Sequence, residues 1–271
     1  MSLDRLTVLG SIKDIEAFKR YIETDVDVAF QRDFINPRYD YKGTVIIPRI
    51  EGSACFHFNS RERTVRFEFN PRYTTNQNVK VAYNRFMEHI EDKYLPRIDI
   101  AFDFESNLFD YNIFDNVPNR KQTRISGQGN ILETLYLGSR KSPLSICIYD
   151  KKKEQEDKGK SVPYSTWNRI EVRMQTSSAI QKALDGWDNY NPFHNLHLLQ
   201  EVPRAACSKF QEWVMVNALI NDPTLLSELS DGSKRKYRKL IASIQPESID
   251  LTEIWEQEKL YILDQIQSFF D

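Results

Sequence analysis

The chain has 271 residues, 40% of them hydrophobic and 28% charged, with 37 Lys and Arg against 39 Asp and Glu for a net charge of −2. That length bounds it to one large domain or two modest ones, and no apolar run approaches the roughly 18 residues that span a bilayer. Cys55, Cys147 and Cys207 lack CxxC spacing, and the four histidines include no His-x-x-x-His pair. A disulfide framework and a zinc site are therefore not indicated, any metal is expected to sit among oxygens, and the absence of a signal-like start points to the cytoplasm.

In chain order, Leu6 to Ser11 reads as a strand and Ile12 to Ile22 as a helix, with Ile15, Phe18 and Ile22 at helical spacing. Lys42 to Pro48, Ser53 to Phe58 and Thr64 to Phe69 read as a β meander broken by Gly52 and the charged turn Ser60 to Arg63. Val79 to Tyr94 follows as a helix, with Val79, Tyr83, Phe86, Met87 and Ile90 on one stripe. Arg97 to Glu105 then alternates strictly, Ile98, Ile100, Phe102 and Phe104 against Arg97, Asp99, Ala101, Asp103 and Glu105, which is the period of a strand. Glu133 to Leu137, Leu144 to Tyr149 and Trp167 to Met174 continue the sheet, with the charge run Lys151 to Lys160 as a solvated loop between two of them. From Ser177 the pattern turns helical, over Ser177 to Trp187, Pro203 to Asn221, Ser233 to Ile244 and Leu251 to Phe270. The expected fold class is α+β, a mostly antiparallel central sheet with flanking helices on a split βαβ plan. Residues 1–200 form the sheet-bearing part and residues 201–271 a helical C-terminal region packed on the same domain.

Asp99, Asp103 and Glu105 share one strand face, and such carboxylates repel one another unless a cation, an arginine or a proton offsets them. The face is either solvated or a site for a hard divalent metal. Glu171 shares its own strand face with Arg169 and Arg173, so a neighbouring pair of strands would either close an oxygen cage with Asp99 and Asp103 or tie these arginines to the aspartates. Tyr149 ends an apolar strand just before Asp150 and three lysines; it either packs on the sheet or serves as a phenolate nucleophile. The small net charge hides an uneven distribution. Five Lys and Arg against Asp231 give +4 over residues 231–244, and seven acidic residues against Lys259 give −6 over residues 247–271. On the helix Ser233 to Ile244, Tyr237, Leu240, Ile241 and Ile244 form an anchoring face, with Lys234, Arg235, Arg238 and Lys239 on another. The acidic helix repeats Ile254, Leu260 or Tyr261, Leu263, Ile266 and Phe269 or Phe270, a stripe for this chain or a second copy.

The segments Arg-Ile-Asp-Ile-Ala-Phe-Asp-Phe-Glu (97–105), Thr-Leu-Tyr-Leu-Gly-Ser-Arg-Lys-Ser (134–142), Ile-Tyr-Asp-Lys-Lys-Lys-Glu-Gln (148–155) and Trp-Asn-Arg-Ile-Glu-Val-Arg (167–173), in this order, resemble the Rep_trans family. These are replication initiators of staphylococcal-type rolling-circle plasmids, related to conjugative relaxases of integrative elements. Arg-Phe-Glu-Phe-Asn-Pro (66–71), the basic run 233–241 and Ile-Asp-Leu-Thr (249–252) extend the likeness over nearly the whole chain. The resemblance implies a relaxase-like sheet and a metal-dependent endonuclease that nicks and rejoins one strand at the double-strand origin. Tyr149 falls on the family's nucleophile and would form a covalent 5′-phosphotyrosine. Asp99, Asp103 and Glu171 fall on the metal ligands for Mg2+ or Mn2+, with Glu105 as an alternate. Arg140, Lys151 and Lys152 become the candidates for holding phosphate, and Lys234, Arg235, Arg238 and Lys239 for origin binding. The implied partners are origin DNA, a host helicase and a second copy in a homodimer. The alternatives are a conjugative relaxase with the same chemistry, from which the short stretch before Leu6 departs, and a DNA-binding regulator without catalysis.

Overall fold

The structure is a computed structural model that describes residues 1–33, 36–46, 53–200, 202–244 and 248–270. In chain order its elements are β1 (Ser2–Ile12), α1 (Ile15–Thr24), β2 (Val28–Arg32), β3 (Tyr41–Ile46), β4 (Ser53–Asn59), β5 (Thr64–Phe69), α2 (Gln77–Met87), β6 (Ile90–Phe104), β7 (Tyr111–Asp115), β8 (Gln122–Ser126), β9 (Leu132–Leu137), β10 (Leu144–Asp150), α3 (Lys151–Asp157), β11 (Asn168–Gln175), α4 (Ser177–Asp185), β12 (Leu196–Gln200), α5 (Phe210–Asn221), α6 (Asp231–Ile244), β13 (Ser248–Ile249) and α7 (Leu251–Gln267). Ten strands make one sheet in the order β2-β3-β4-β5-β1-β6-β11-β10-β9-β8, and β13-β12-β7 make a smaller one. Every registered pair is antiparallel, so β5 and β6, joined through α2, run parallel with β1 inserted between them. That is a split βαβ unit, and the α+β expectation holds.

The meander and the strands β9 to β11 lie where alternation placed them, although the end of the first meander strand, Ile47 and Pro48, falls outside the described residues. The helix expected over Val79 to Tyr94 stops at Met87, and Ile90 to Tyr94 pair with β1, Leu9 opposite Tyr94 and Ile12 opposite Ile90. Ile90 is buried in either conformation, so its spacing did not discriminate; pairing to the central strand decides. The charge run expected as a loop is helix α3. Asp150 caps it by accepting from the Lys153 amide at 2.9 Å, and Lys151–Glu154 at 2.7 Å and Lys153–Asp157 at 3.2 Å brace it. The stretch expected as one helix from Pro203 makes a single 3-10 turn at residues 204–206 before α5 begins at Phe210. β2, β7, β8, β12 and β13 were not visible in the pattern; β8 is exposed at every residue and presents no buried face to alternate.

Helices α1, α2, α4 and α7 bury one face of the large sheet against Leu6, Val8, Phe67, Ile98, Ile100, Phe102, Ile170 and Val172. Helix α7 docks through Leu251, Trp255, Ile262 and Ile266, while Leu260 and Tyr261 of the expected stripe are 64% and 55% exposed. Trp255 sets that rotation: it is fully buried, and its indole N–H donates to the Tyr190 carbonyl at 2.5 Å. A second, smaller core of Val202, Cys207, Val216 and Ile220 receives Tyr237, Leu240, Ile241 and Ile244 of α6, the face expected to anchor it. Among the described residues no helix is long and apolar enough to cross a membrane.

Candidate active site

The other face of the sheet carries charge at its centre. Strand β11 lies between β6 and β10, with Arg173 opposite Asp99, Glu171 opposite Ala101 and Arg169 opposite Asp103. On its other side Glu171 faces Cys147 and Arg169 faces Tyr149. Because side chains alternate along a strand, this register gathers Asp99, Asp103, Arg169, Glu171, Arg173 and Tyr149 on one face.

Each carboxylate there is matched by a guanidinium. Asp99, 1% exposed, accepts from Arg97 Nε at 2.8 Å and Nη2 at 2.5 Å, with Arg173 Nε 3.5 Å away. Glu171 accepts from Arg173 Nη2 at 2.9 Å. Asp103 accepts from Arg169 Nε and Nη2, both at 2.8 Å, and from the Trp167 indole N–H at 2.7 Å. Arg169 reaches Asp4 as well, at 3.1 Å, and the pattern continues across β1 and β5 with Arg5 and Arg66 on Glu68 at 3.1 and 2.8 Å.

Burial works against the Asp103 carboxylate, but the hydrogen bonds from Arg169 and Trp167 outweigh it and hold its pKa below the ordinary value. Glu171 goes the other way: burial, and then the neighbouring Asp99, push its pKa up in spite of Arg173. Tyr149 is likewise pushed well above the usual phenol range, chiefly by burial, and Arg169 is the group that opposes the shift. Glu154, on the first turn of α3, is held down at about 2, because hydrogen bonds from Lys151, Lys158 and Gln155 outweigh its burial.

Tyr149 lines two adjoining cavities. One, of about 520 Å³, includes Asp4, Lys151, Arg169, Glu171 and Arg173; the other, of about 450 Å³, adds Tyr136 and Cys147. Burial pushes the Cys147 thiol up to about 12, so it is a poor nucleophile beside them. Larger cavities of about 840 Å³ between α4 and α7 and about 1060 Å³ beyond α3 hold neither Tyr149 nor the three carboxylates, so volume does not identify this site.

The predicted residues are distributed unevenly around this centre. Lys151 belongs to it, its Nζ 5.6 Å from the Tyr149 ring centroid and 2.7 Å from Glu154. Lys152 turns away to the Ser165 carbonyl at 3.1 Å, Arg140 is exposed on the turn between β9 and β10, and Glu105 is exposed beyond the end of β6. On α6, Lys234 pairs with Asp231 at 3.7 Å, while Arg235, Arg238 and Lys239 are exposed without an ion pair. None of the four lines either Tyr149 cavity. Asp4 and Arg5 were missed, because the strand signal begins only at Leu6; the complementary spacing of Arg97-x-Asp99 and Arg169-x-Glu171-x-Arg173 was the available clue to the pairing.

Whether these residues suit a divalent metal depends on which oxygens are free. Among the described residues, no group of three or more His, Cys, Asp or Glu is placed to hold one. The oxygens of Asp103 are taken by Arg169 and Trp167, so the expected three-carboxylate cage is not formed in this arrangement. Asp99 is engaged by Arg97 in the same two-point way, so the opening for a cation is Glu171, whose buried repulsion with Asp99 a cation would relieve.

Residues 93–196 match the Rep_trans family, described as replication initiation factor. A replication initiation protein of Staphylococcus aureus is 29% identical over 258 residues, covering 94% of this chain and 79% of that protein. Another from the same organism is 31% identical over 194 residues, 71% of this chain and 58% of its own length. Among solved structures, the rolling circle replication initiator protein from Geobacillus stearothermophilus aligns with a TM-score of 0.46 and 11% identity, over 81% of this chain and 95% of that one.

Proposed function

We propose that this chain, which matches the Rep_trans family of replication initiation factors over residues 93–196, initiates rolling-circle replication of a plasmid by cutting one origin strand with Tyr149. The observation that carries the reading is the position of Tyr149, on a strand end in a polar cavity with Arg169 and Lys151 beside it. In the proposed step Tyr149 Oη loses its proton and attacks phosphorus, the bond to the 3′ oxygen breaks, and that oxygen takes up a proton. The products are a 5′-phosphotyrosine and a free 3′-hydroxyl. Arg169 and Lys151 offset the charge that grows on the phenolate and on the phosphoryl oxygens. Buried arginines fixed by carboxylates need no reorganisation to do so. The covalent link keeps the phosphodiester's energy for rejoining, and the second attack is the reverse of the first.

Mg2+ or Mn2+ is part of the proposal, held first by Glu171 and by Asp99 only where Arg97 gives way, and there it would neutralise charge on the scissile phosphate. Origin duplex is assigned to Arg235, Arg238, Lys239 and Lys234 on α6, through phosphate contacts. A host helicase, a second copy of the chain and a bacterial cytoplasm complete the reading; Leu260 and Tyr261 on α7 are the apolar side chains offered to that second copy. Manganese-dependent cleavage of a single-stranded origin oligonucleotide tests it on a denaturing protein gel. Wild type is expected to give a shifted covalent adduct and Tyr149→Phe none. Cleavage without an adduct would remove Tyr149 from the chemistry, and tight duplex binding without cleavage would favour a regulator.

A further inference from the structure

We propose that Asp103 is not a metal ligand but, together with Asp4, the residue that positions Arg169 against the reacting oxygens at Tyr149. The inference rests on the nicking reading above, but its argument is geometric. Both Asp103 oxygens are engaged by the fork of Arg169, Nε to Oδ1 and Nη2 to Oδ2 at 2.8 Å each, and Oδ1 also accepts the Trp167 indole N–H at 2.7 Å. A bidentate pair fixes the plane of a guanidinium as well as its distance. The third direction is fixed by Asp4, whose Oδ1 accepts from Arg169 Nη1 at 3.1 Å and from Asn70 Nδ2 at 3.3 Å. The Trp167 ring lies against the same head, 5.8 Å from Arg169 Cζ to its centroid.

Arg169 is therefore held from β1, β6 and the Trp167 end of β11 at once, with a side chain only 4% exposed. Its guanidinium carries more N–H groups than these three bonds use, and the residue lines the cavity of about 520 Å³ that Tyr149 also lines. Arg169 and Tyr149 are direct register partners across β10 and β11. The spare donors thus belong to a rigid head next to the attacking oxygen, the arrangement needed to meet an oxyanion without rearranging. A metal at Asp103 would have to share a carboxylate that already accepts three N–H donors and would weaken the pairing of a buried arginine. Nothing comparable fixes Lys151, whose partner Glu154 lies on the same helix turn.

Asp103→Asn separates the alternatives, because the amide keeps the volume but turns a donor toward Arg169. Against wild type, the variant is expected to bind Mn2+ with affinity changed by no more than about twofold in an EPR titration. Its rate of adduct formation should fall about 100-fold while oligonucleotide affinity moves by less than about threefold, since misplacing a reacting group by an ångström costs that much. Trp167→Phe, which removes one bond to Asp103, should lose about tenfold, and Asp103→Glu should recover part of the loss. Should Asp103→Asn fail to fold, Trp167→Phe and Asp4→Asn carry the same comparison. A Mn2+ affinity reduced tenfold or more would make Asp103 a ligand, and an unchanged adduct rate would remove Arg169 from the chemistry; either result overturns the proposal. If wild type forms no adduct, the nicking reading itself fails, and the placement is still read from the Arg169 Nε–H resonance in 15N NMR. That signal is expected to exchange slowly with solvent in wild type and rapidly in Asp103→Asn; equal exchange in the two proteins would overturn it independently.

Discussion

The centre of the large sheet and the outer surface of α6 are both rich in arginine, and they are built on opposite principles. On the sheet Arg97 faces Asp99, Arg169 faces Asp103 and Arg173 faces Glu171, across or along a strand, and all of these groups but Asp103, 40% exposed, are largely shielded from water. On α6, Arg235, Arg238 and Lys239 are exposed and pair with none of the described residues, while the helix is held down by its apolar face on the small core and by Lys236 on Glu212 of α5 at 2.9 Å. Buried pairs gain Coulomb energy in a low dielectric but lose solvation, so they stabilise little in net and fix geometry instead. Exposed unpaired cations cost little to keep and are free to exchange small counterions for phosphates. On the proposed reading, the first region orients a reaction and the second holds a polyanion.

If that division is right, breaking one member of each region has different consequences. Asp99→Ala leaves Arg97 and Arg173 facing each other across β6 and β11 without their shared partner, and the expected loss is about 3–5 kcal/mol in urea unfolding with EDTA present. A loss under about 1 kcal/mol would mean that the sheet's charges are no more structural than those on α6. Neutralising Arg235, Arg238 and Lys239 together should leave the unfolding midpoint unchanged and weaken duplex binding about 10- to 100-fold, with the slope of log affinity against log salt reduced by roughly 2–3. Binding that kept its salt slope would return α6 to an ordinary solvated helix. A smaller and sharper contrast lies in pH. Burial keeps Tyr149 protonated beyond the usual phenol range, so adduct formation at saturating oligonucleotide should rise with pH, by up to about tenfold per unit, with no plateau below pH 9 and little response to salt. A plateau near neutrality would show that the phenol is activated in some other way.

Local periodicity carried much of this molecule. Ile98, Ile100 and Phe102 against Asp99 and Asp103 specified the strand, its buried face and its charged face, and Tyr237, Leu240, Ile241 and Ile244 specified how α6 docks. Pairing was not legible, because it is decided by residues far apart in sequence. Glu171 sits opposite Ala101, and a two-residue shift of register, which keeps the face, would set it opposite Asp99 or Asp103; the register therefore decides whether the carboxylates meet one another or meet arginines. Asp4 contributes to the site from a stretch with no alternation, Ser2 to Arg5, which becomes strand by pairing with β6. For α7 the acidic helix offered two apolar stripes, and Trp255, whose indole finds an acceptor at Tyr190, selects the one that is buried.

The position of β1 also bears on how the chain folds. It precedes both its neighbours in the chain by a long way: Leu6 pairs with Phe69 on one side and Ile98 on the other. During synthesis the residues of β1 therefore wait, unpaired along both edges, until the two flanking strands have left the ribosome. Closing such long loops is slow, and an apolar strand open on both edges invites pairing with another chain in the interval. The meander β2 to β5 can form by local hairpins without it, so assembly of the charged face around Tyr149 is expected to be the late step.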